Sequence, residues 1–225
     1  MIVLEINILT NKIHTEMKRT LKRLSLVMIA TALVFTGCKK DEEDEGIING
    51  HECVDLGLPS GTKWATCNVG ATTPEGYGNY YAWGETTTKS SYTEENSVTY
   101  GQPMSDISGN ATYDVARANW GSTWRMPTKE EMEELVNNCT WTWTTQSGVN
   151  GMKVTGTNGN SIFLPAAGDC GGSSRDYVGE DGGYWSSTPY ESDNDFAYGL
   201  YFGSGGHNVD WDDRFFGVPV RPVSD

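Results

Sequence analysis

The sequence predicts an α+β domain, and three observations lead there. The segment after Thr128 carries helical apolar spacing and residues 114–120 read as a weaker helix, whereas the C-terminal third is mostly sheet with a Gly-rich reversal. The order, two helices followed by many short antiparallel strands, is that of an α+β fold. A chain of 225 residues can bury about 70% of its extended surface, so one core suffices. With 37% apolar residues, 27 Gly and 8 Trp, it reads as one Gly- and Trp-rich domain rather than a disordered chain. A formal charge of −14 opposes polyanions, so nucleic acid and a bare anionic bilayer are excluded as partners.

The first element is a leader. Lys18, Arg19, Lys22 and Arg23 precede an apolar run, Leu24 to Gly37, too short to span a bilayer, and Phe35-Thr36-Gly37-Cys38 resembles a lipobox. Residues 1–37 are therefore expected to be a signal peptide, of which 1–16 read as an overcalled start before Met17. Cys38 is the expected lipidation site. Residues 38–50 form a lipidated tether, acidic from Asp41 to Glu45, that cannot bury enough apolar surface to fold. The tether also looks like the acidic signal that sends lipoproteins of Bacteroides-type bacteria to the outer face of the outer membrane. The expected location is the outer membrane, lipid-anchored and exposed at the cell surface, with membrane contact through the acyl anchor only.

The domain is expected over 51–225. Val54 to Leu58 and Lys63 to Val69 predict a hairpin about Pro59-Ser60-Gly61. Residues 86–110 lack apolar periodicity and predict a long surface excursion. Asp114 to Trp120 is the weaker helix. Thr128-Lys129-Glu130-Glu131 matches a capping box, and Met132, Leu135, Val136 and Cys139 then follow at helical spacing. Thr140 to Thr144 alternates as a half-buried strand, and Val149 to Thr155 and Ser161 to Leu164 are strands joined through Asn158-Gly159. Tyr184 to Ser187, Phe196 to Gly203, His207 to Asp212 and Val218 to Val223 complete the sheet. In the second of these, Phe196, Tyr198, Leu200 and Phe202 share one face, and Ala197, Gly199, Tyr201 and Gly203 leave the other light.

Several blocks resemble one family. Val54 to Ala71 (VDLGLPSGTKWATCNVGA), Tyr81 to Glu85 (YAWGE), Trp124 to Thr128 (WRMPT) and Phe163 to Gly168 (FLPAAG) are similar to the Fibrobacter succinogenes major paralogous domain, and Tyr184 to Ser187 and Val220 to Val223 extend the match. The resemblance implies a C-type lectin-like fold, with two helices, short and mostly antiparallel strands and long loops that present a ligand surface. Trp64, Trp83, Trp120, Trp124 and Trp185 are expected in the core, and Arg125 and Arg221 as anchors for buried carboxylates or carbonyls. Four cysteines beyond Cys38 allow three pairings that spacing cannot separate. Cys67 and Cys139 fall inside the family-like blocks, whereas Cys53 and Cys170 stand where the resemblance implies other residues, which suggests a Cys53–Cys170 disulfide.

The ligand site is expected between Pro189 and Phe216, where rings alternate with short polar side chains in the manner of an adaptable recognition surface. Candidates are Tyr190, Asp193, Asn194, Asp195, Tyr198, Tyr201, His207, Asp210, Trp211, Asp212 and Phe215. The ligand is a glycan or a surface protein; a sugar would stack on Trp211 or a Tyr and pair its hydroxyls with Asp or Asn. No cofactor is expected. Asp193, Asn194, Asp195, Asp210, Asp212 and Asp213 offer hard oxygens that make calcium a secondary candidate, but EF-hand spacing is absent. A zinc cluster lacks CxxC spacing and has only His51 and His207 beyond the leader.

No enzyme is expected. Gly168-Asp169-Cys170-Gly171-Gly172 resembles the nucleophile loop of chymotrypsin-like cysteine proteases, yet neither His51 nor His207 lies where the general base should. Formylglycine generation needs a reactive Cys pair near the C-terminus, and none lies beyond Cys170. The expected function is a non-enzymatic, lipid-anchored surface binding module, in a sharper version one diversified by a retroelement. The alternative is a structural or assembly subunit of the cell envelope.

Overall fold

The computed structural model describes residues 46–225. The expected leader, Cys38 and the tether as far as residue 45 lie outside the described residues. Among those described, no helix is long and apolar enough to cross a membrane.

Among the described residues twelve strands in four sheets dominate, with two α-helices between them. β1 (Ile47–Ile48), β2 (His51–Asp55), β3 (Lys63–Ala65) and β12 (Val223–Ser224) form one sheet in that order. The β2–β3 hairpin sets Val54 opposite Trp64, and β12 closes the sheet by pairing Val223 with Trp64. The chain between β3 and the first helix is largely irregular. It is nevertheless pinned: Tyr81 bridges Val218, Thr99 Oγ1 donates to Trp83 O at 2.6 Å, and Ile107 N donates to Ser187 O at 3.1 Å. The excursion over 86–110 therefore buries Tyr92, Thr99 and Ile107, isolated anchors without a period.

α1 (Val115–Trp120) is short because Asp114 caps its N-terminus, accepting from Arg117 N at 3.0 Å, and Gly121 at φ 64° ends it. α2 (Lys129–Asn138) has the expected capping box, with Thr128 Oγ1 accepting from Glu131 N and Glu131 Oε2 accepting from Thr128 N. Its Met132 and Leu135 are fully buried. β4 (Thr140–Gln146), β5 (Val149–Thr155) and β6 (Ser161–Pro165) make an antiparallel meander. β7 (Asp169–Gly171) and β8 (Ser174–Asp176) form a small hairpin. β9 (Asp181–Pro189), β10 (Phe196–Gly203) and β11 (Gly206–Asp213) complete the fold, ordered β11-β10-β9 with β11 at an edge.

This architecture corrects the expected α+β, C-type lectin-like fold: the protein is mostly antiparallel β-sheet. The physical reason is where burial comes from. The helices have only 6 and 10 residues, and neither can cover a sheet as a layer; the two large core clusters are filled chiefly by strand and loop side chains. All five tryptophans expected in the core are buried, Trp64, Trp83, Trp124 and Trp185 almost completely. Arg221, also buried, donates to Asn68 Oδ1, Ala65 O, Thr66 O and Phe163 O, tying the C-terminal segment to two sheets. Arg125 pairs with Glu131 and Asp225 instead.

Two further expectations are corrected. Cys53 and Cys170 are not joined: Cys53 packs with Ile48, Ala65 and Trp124, whereas Cys170 sits in a separate cluster with Tyr80, Tyr92 and Ala167. The light face of β10 is also not open. Ala197 and Gly199 are buried, and a Cβ on Gly199 would lie 2.9 Å from Tyr201 Oη. The small residues there seat neighbouring rings.

Candidate functional site

Strand alternation sorts the candidate residues. In the β10–β11 hairpin, Tyr198 lies opposite Trp211 and Phe202 opposite His207 on one face. Ala197 opposite Asp212, Gly199 opposite Asp210 and Tyr201 opposite Asn208 share the other. The single patch expected from the sequence is thus divided into separate surfaces.

The first face carries an aromatic cluster. Trp211 is 46% exposed, and its ring centroid lies 4.6 Å from Phe196 and 5.5 Å from Tyr190. Tyr190 also meets Tyr198 edge-on at 5.5 Å. Lys129 Nζ covers the Tyr198 ring at 4.0 Å, and Tyr198 Oη donates to Glu191 Oε2 at 3.1 Å. Within this cluster Trp211 is therefore the ring left most open to a ligand, held at its edges by Phe196 and Tyr190. His207 lies farther along the same face, away from the cluster: it stacks on Trp141 at 4.4 Å, where burial holds its pKa below the usual value.

On the second face a cleft of about 340 Å³ is lined by Asp169, Asp181, Tyr201, Asn208 and Asp212 among glycines. Burial raises the Asp212 carboxyl to about 6 despite the Asp213 amide that it accepts, and Asp213 and Asp169 add to the rise. Burial, then Asp176 and Asp181, raise Asp169. The Tyr201 phenol oxygen is shut off beside Asp212 without a hydrogen bond of regular geometry, and burial pushes its pKa well up. Asp210 is exposed and occupied locally, accepting from Trp211 N at 2.9 Å and Asn208 Nδ2 at 3.3 Å.

The remaining candidates belong to the turn between β9 and β10 and its surroundings. Asp193 Oδ1 accepts from Asp195 N at 3.1 Å, and Asp193 and Asn194 are exposed. Asp195 lies near Tyr100, whose hydroxyl is raised to about 12 by burial and then by Asp195 itself. Phe215 packs edge-on against Tyr100 at 5.5 Å. Among the described residues no group of three or more His, Cys, Asp or Glu side chains is placed to hold a metal ion.

Sequence reasoning missed Phe196, Glu191, Lys129 and Arg214. Phe196 shares its strand face with Tyr198, and that alternation is the signal that marks it. Lys129 comes from another element and left no local signal. Arg214 is wholly buried; its Nε donates to Phe196 O, its Nη1 donates to Thr99 O and Gln102 O, and its guanidinium lies 4.5 Å from the Trp83 ring centre. With Nη2 unpaired, burial lowers its pKa to about 10. It clamps the backbone beneath the aromatic cluster to the core.

The Lcl C-terminal domain family model matches residues 58–224. It covers nearly the whole stretch on which the Fibrobacter resemblance rested. No curated protein and no solved structure matches the chain.

Proposed function

Because the chain belongs to the Lcl C-terminal domain family, we propose that it is a ligand-binding module without catalytic activity, lipid-anchored at the cell surface, that recognises a carbohydrate or protein through the aromatic cluster around Trp211. One observation carries this reading: a large ring, 46% exposed on an edge strand, is kept out of the core by packing against Phe196 and Tyr190. Exposed tryptophan is costly to leave in water and is a common anchor of recognition surfaces. The rim supplies Glu191 and Lys129, both held against Tyr198, for hydrogen bonds. The acidic chain favours neutral or cationic ligands over polyanions. The lipobox-like Phe35 to Cys38 supports the anchor.

The test is an array of neutral and charged glycans together with cell-surface proteins, probed with the full chain and with Trp211→Ala. Binding that falls by about tenfold or more in the variant is the expected result, since loss of a central aromatic anchor typically costs about 2 kcal/mol. Equal binding by both chains would sink the assignment of the site.

A further inference from the structure

The β7–β8 hairpin separates two clefts of opposite character. Asp169 pairs with Asp176, and one position further on Cys170 pairs with Arg175, so alternation sends the two pairs to opposite faces. Asp169 lines the acidic cleft beside Tyr201. Cys170 and Arg175 line another cavity, of about 440 Å³, whose rim carries Asn79, Thr88, Ser90, Ser173 and Ser174. No aspartate or glutamate lines it. In a chain of charge −14, a wall with a guanidinium and several hydroxyl groups but no acid stands out, although Asp169, Asp176 and Glu85 act on its Cys170 and Tyr92 from outside the cavity.

The walls are held in place without a ligand. Tyr92 and Gly172 exchange backbone hydrogen bonds of 2.7 and 2.8 Å, closing the loop before β7 onto the hairpin. Tyr80 Oη donates to Ala167 O at 2.6 Å, and Tyr92 Oη donates to Tyr80 O. The Arg175 guanidinium lies 4.4 Å from the centre of the Tyr80 ring, and its other polar neighbour is the Cys170 thiol. Among the described residues it enters no ion pair, whereas Arg125 is engaged by two carboxylates. Lys89, the second cation at the rim, is spent on Glu85 and Asn96. Arg175 is thus an exposed, ring-stacked guanidinium with its hydrogen-bonding fork uncommitted to any oxygen.

We propose that this cavity is a second binding site, separate from the aromatic cluster, for a small hydroxylated carboxylate such as a sugar acid. The planar guanidinium matches a carboxylate through two parallel N–H donors, and its seat over the Tyr80 ring places it beforehand. The hydroxyl and amide side chains of the rim are suited to the ligand's own hydroxyls. The volume is in the range of small-molecule sites.

Calorimetric titration of the full chain with D-glucuronate, D-glucose and inorganic sulfate tests it, with Arg175→Gln and Arg175→Lys alongside and a melting curve for each chain. The expected result is glucuronate bound at least about tenfold more tightly than glucose or sulfate, with that preference lost in Arg175→Gln, only partly kept by Arg175→Lys, and melting unchanged because Arg175 is exposed. Glucuronate binding unaltered in Arg175→Gln, no measurable binding by the parent chain, or sulfate binding as tightly as glucuronate would each overturn it.

Discussion

Asp212 is a residue whose chemistry departs from what its letter suggests. Its folded-state carboxyl is raised to about 6 by burial, against an ordinary value of about 4. The native state then holds its proton more tightly than the unfolded chain between these values, so the contribution of Asp212 to stability falls as pH rises through that window. Asp212→Asn keeps an acceptor for the Asp213 amide and removes the charge. The variant is expected to be more stable by about 1–2 kcal/mol at pH 7–8, with the gain shrinking below pH 6 and gone near pH 4. Urea unfolding of both chains across that range checks it, and a difference independent of pH would refute the burial argument. Nothing in the string around Asp212 marks it apart from Asp210 or Asp213. Its environment comes from Tyr201 and Asp169, brought close only by strand pairing.

At the scale of elements, β11 shows how an exposed edge strand can be kept from pairing with other chains. The Trp211 and Asp213 amides donate to the carboxylates of Asp210 and Asp212, each from the preceding residue. Carboxylates along an edge cover backbone donors and repel a second acidic strand. Replacing both Asp210 and Asp212 by Val is expected to raise self-association well above that of the parent chain, read by light scattering over a concentration series; parent-like scattering throughout would show that these side chains do not guard the edge. The local elements were also the ones most legible in sequence. The capping box at Thr128 and the Asn158-Gly159 turn depend on contacts within a few residues, and both stand where expected. The hairpin about Pro59 was shifted, since β2 runs over His51–Asp55 rather than ending at Leu58. Leu56 and Leu58 instead enter the core from a loop, an outcome that apolar content alone does not separate from a strand.

At the scale of the molecule, a buried cation ties the C-terminal segment to the chain around β3 and to β6 among the described residues. Arg221 reaches carbonyls of Ala65, Thr66 and Phe163 and the Asn68 side chain, and burial lowers its pKa from the usual arginine value. Lysine has the charge but neither the fork nor the five donors, so Arg221→Lys would leave several buried carbonyls short of a partner. Destabilisation on the order of 3 kcal/mol is expected, measured as a lower guanidinium midpoint; an unchanged midpoint would mean that the β12 pairing, not the arginine, holds the segment.

The sequence by itself determined which residues are large and must be buried, where the longer helix begins, and that rings and carboxylates crowd into 189–216, because propensity, capping and composition act over short stretches of chain. Only the tertiary structure decided that sheets rather than helices build the core, that Cys53 and Cys170 belong to different clusters, and that alternation divides the ring-and-carboxylate segment between an aromatic face and an acidic cleft. Those outcomes depend on register and on contacts between residues a hundred or more positions apart, such as Arg214 with Thr99 and Arg221 with Ala65. A one-residue shift in register exchanges the faces of a strand, and local pattern does not specify which partner each face will meet.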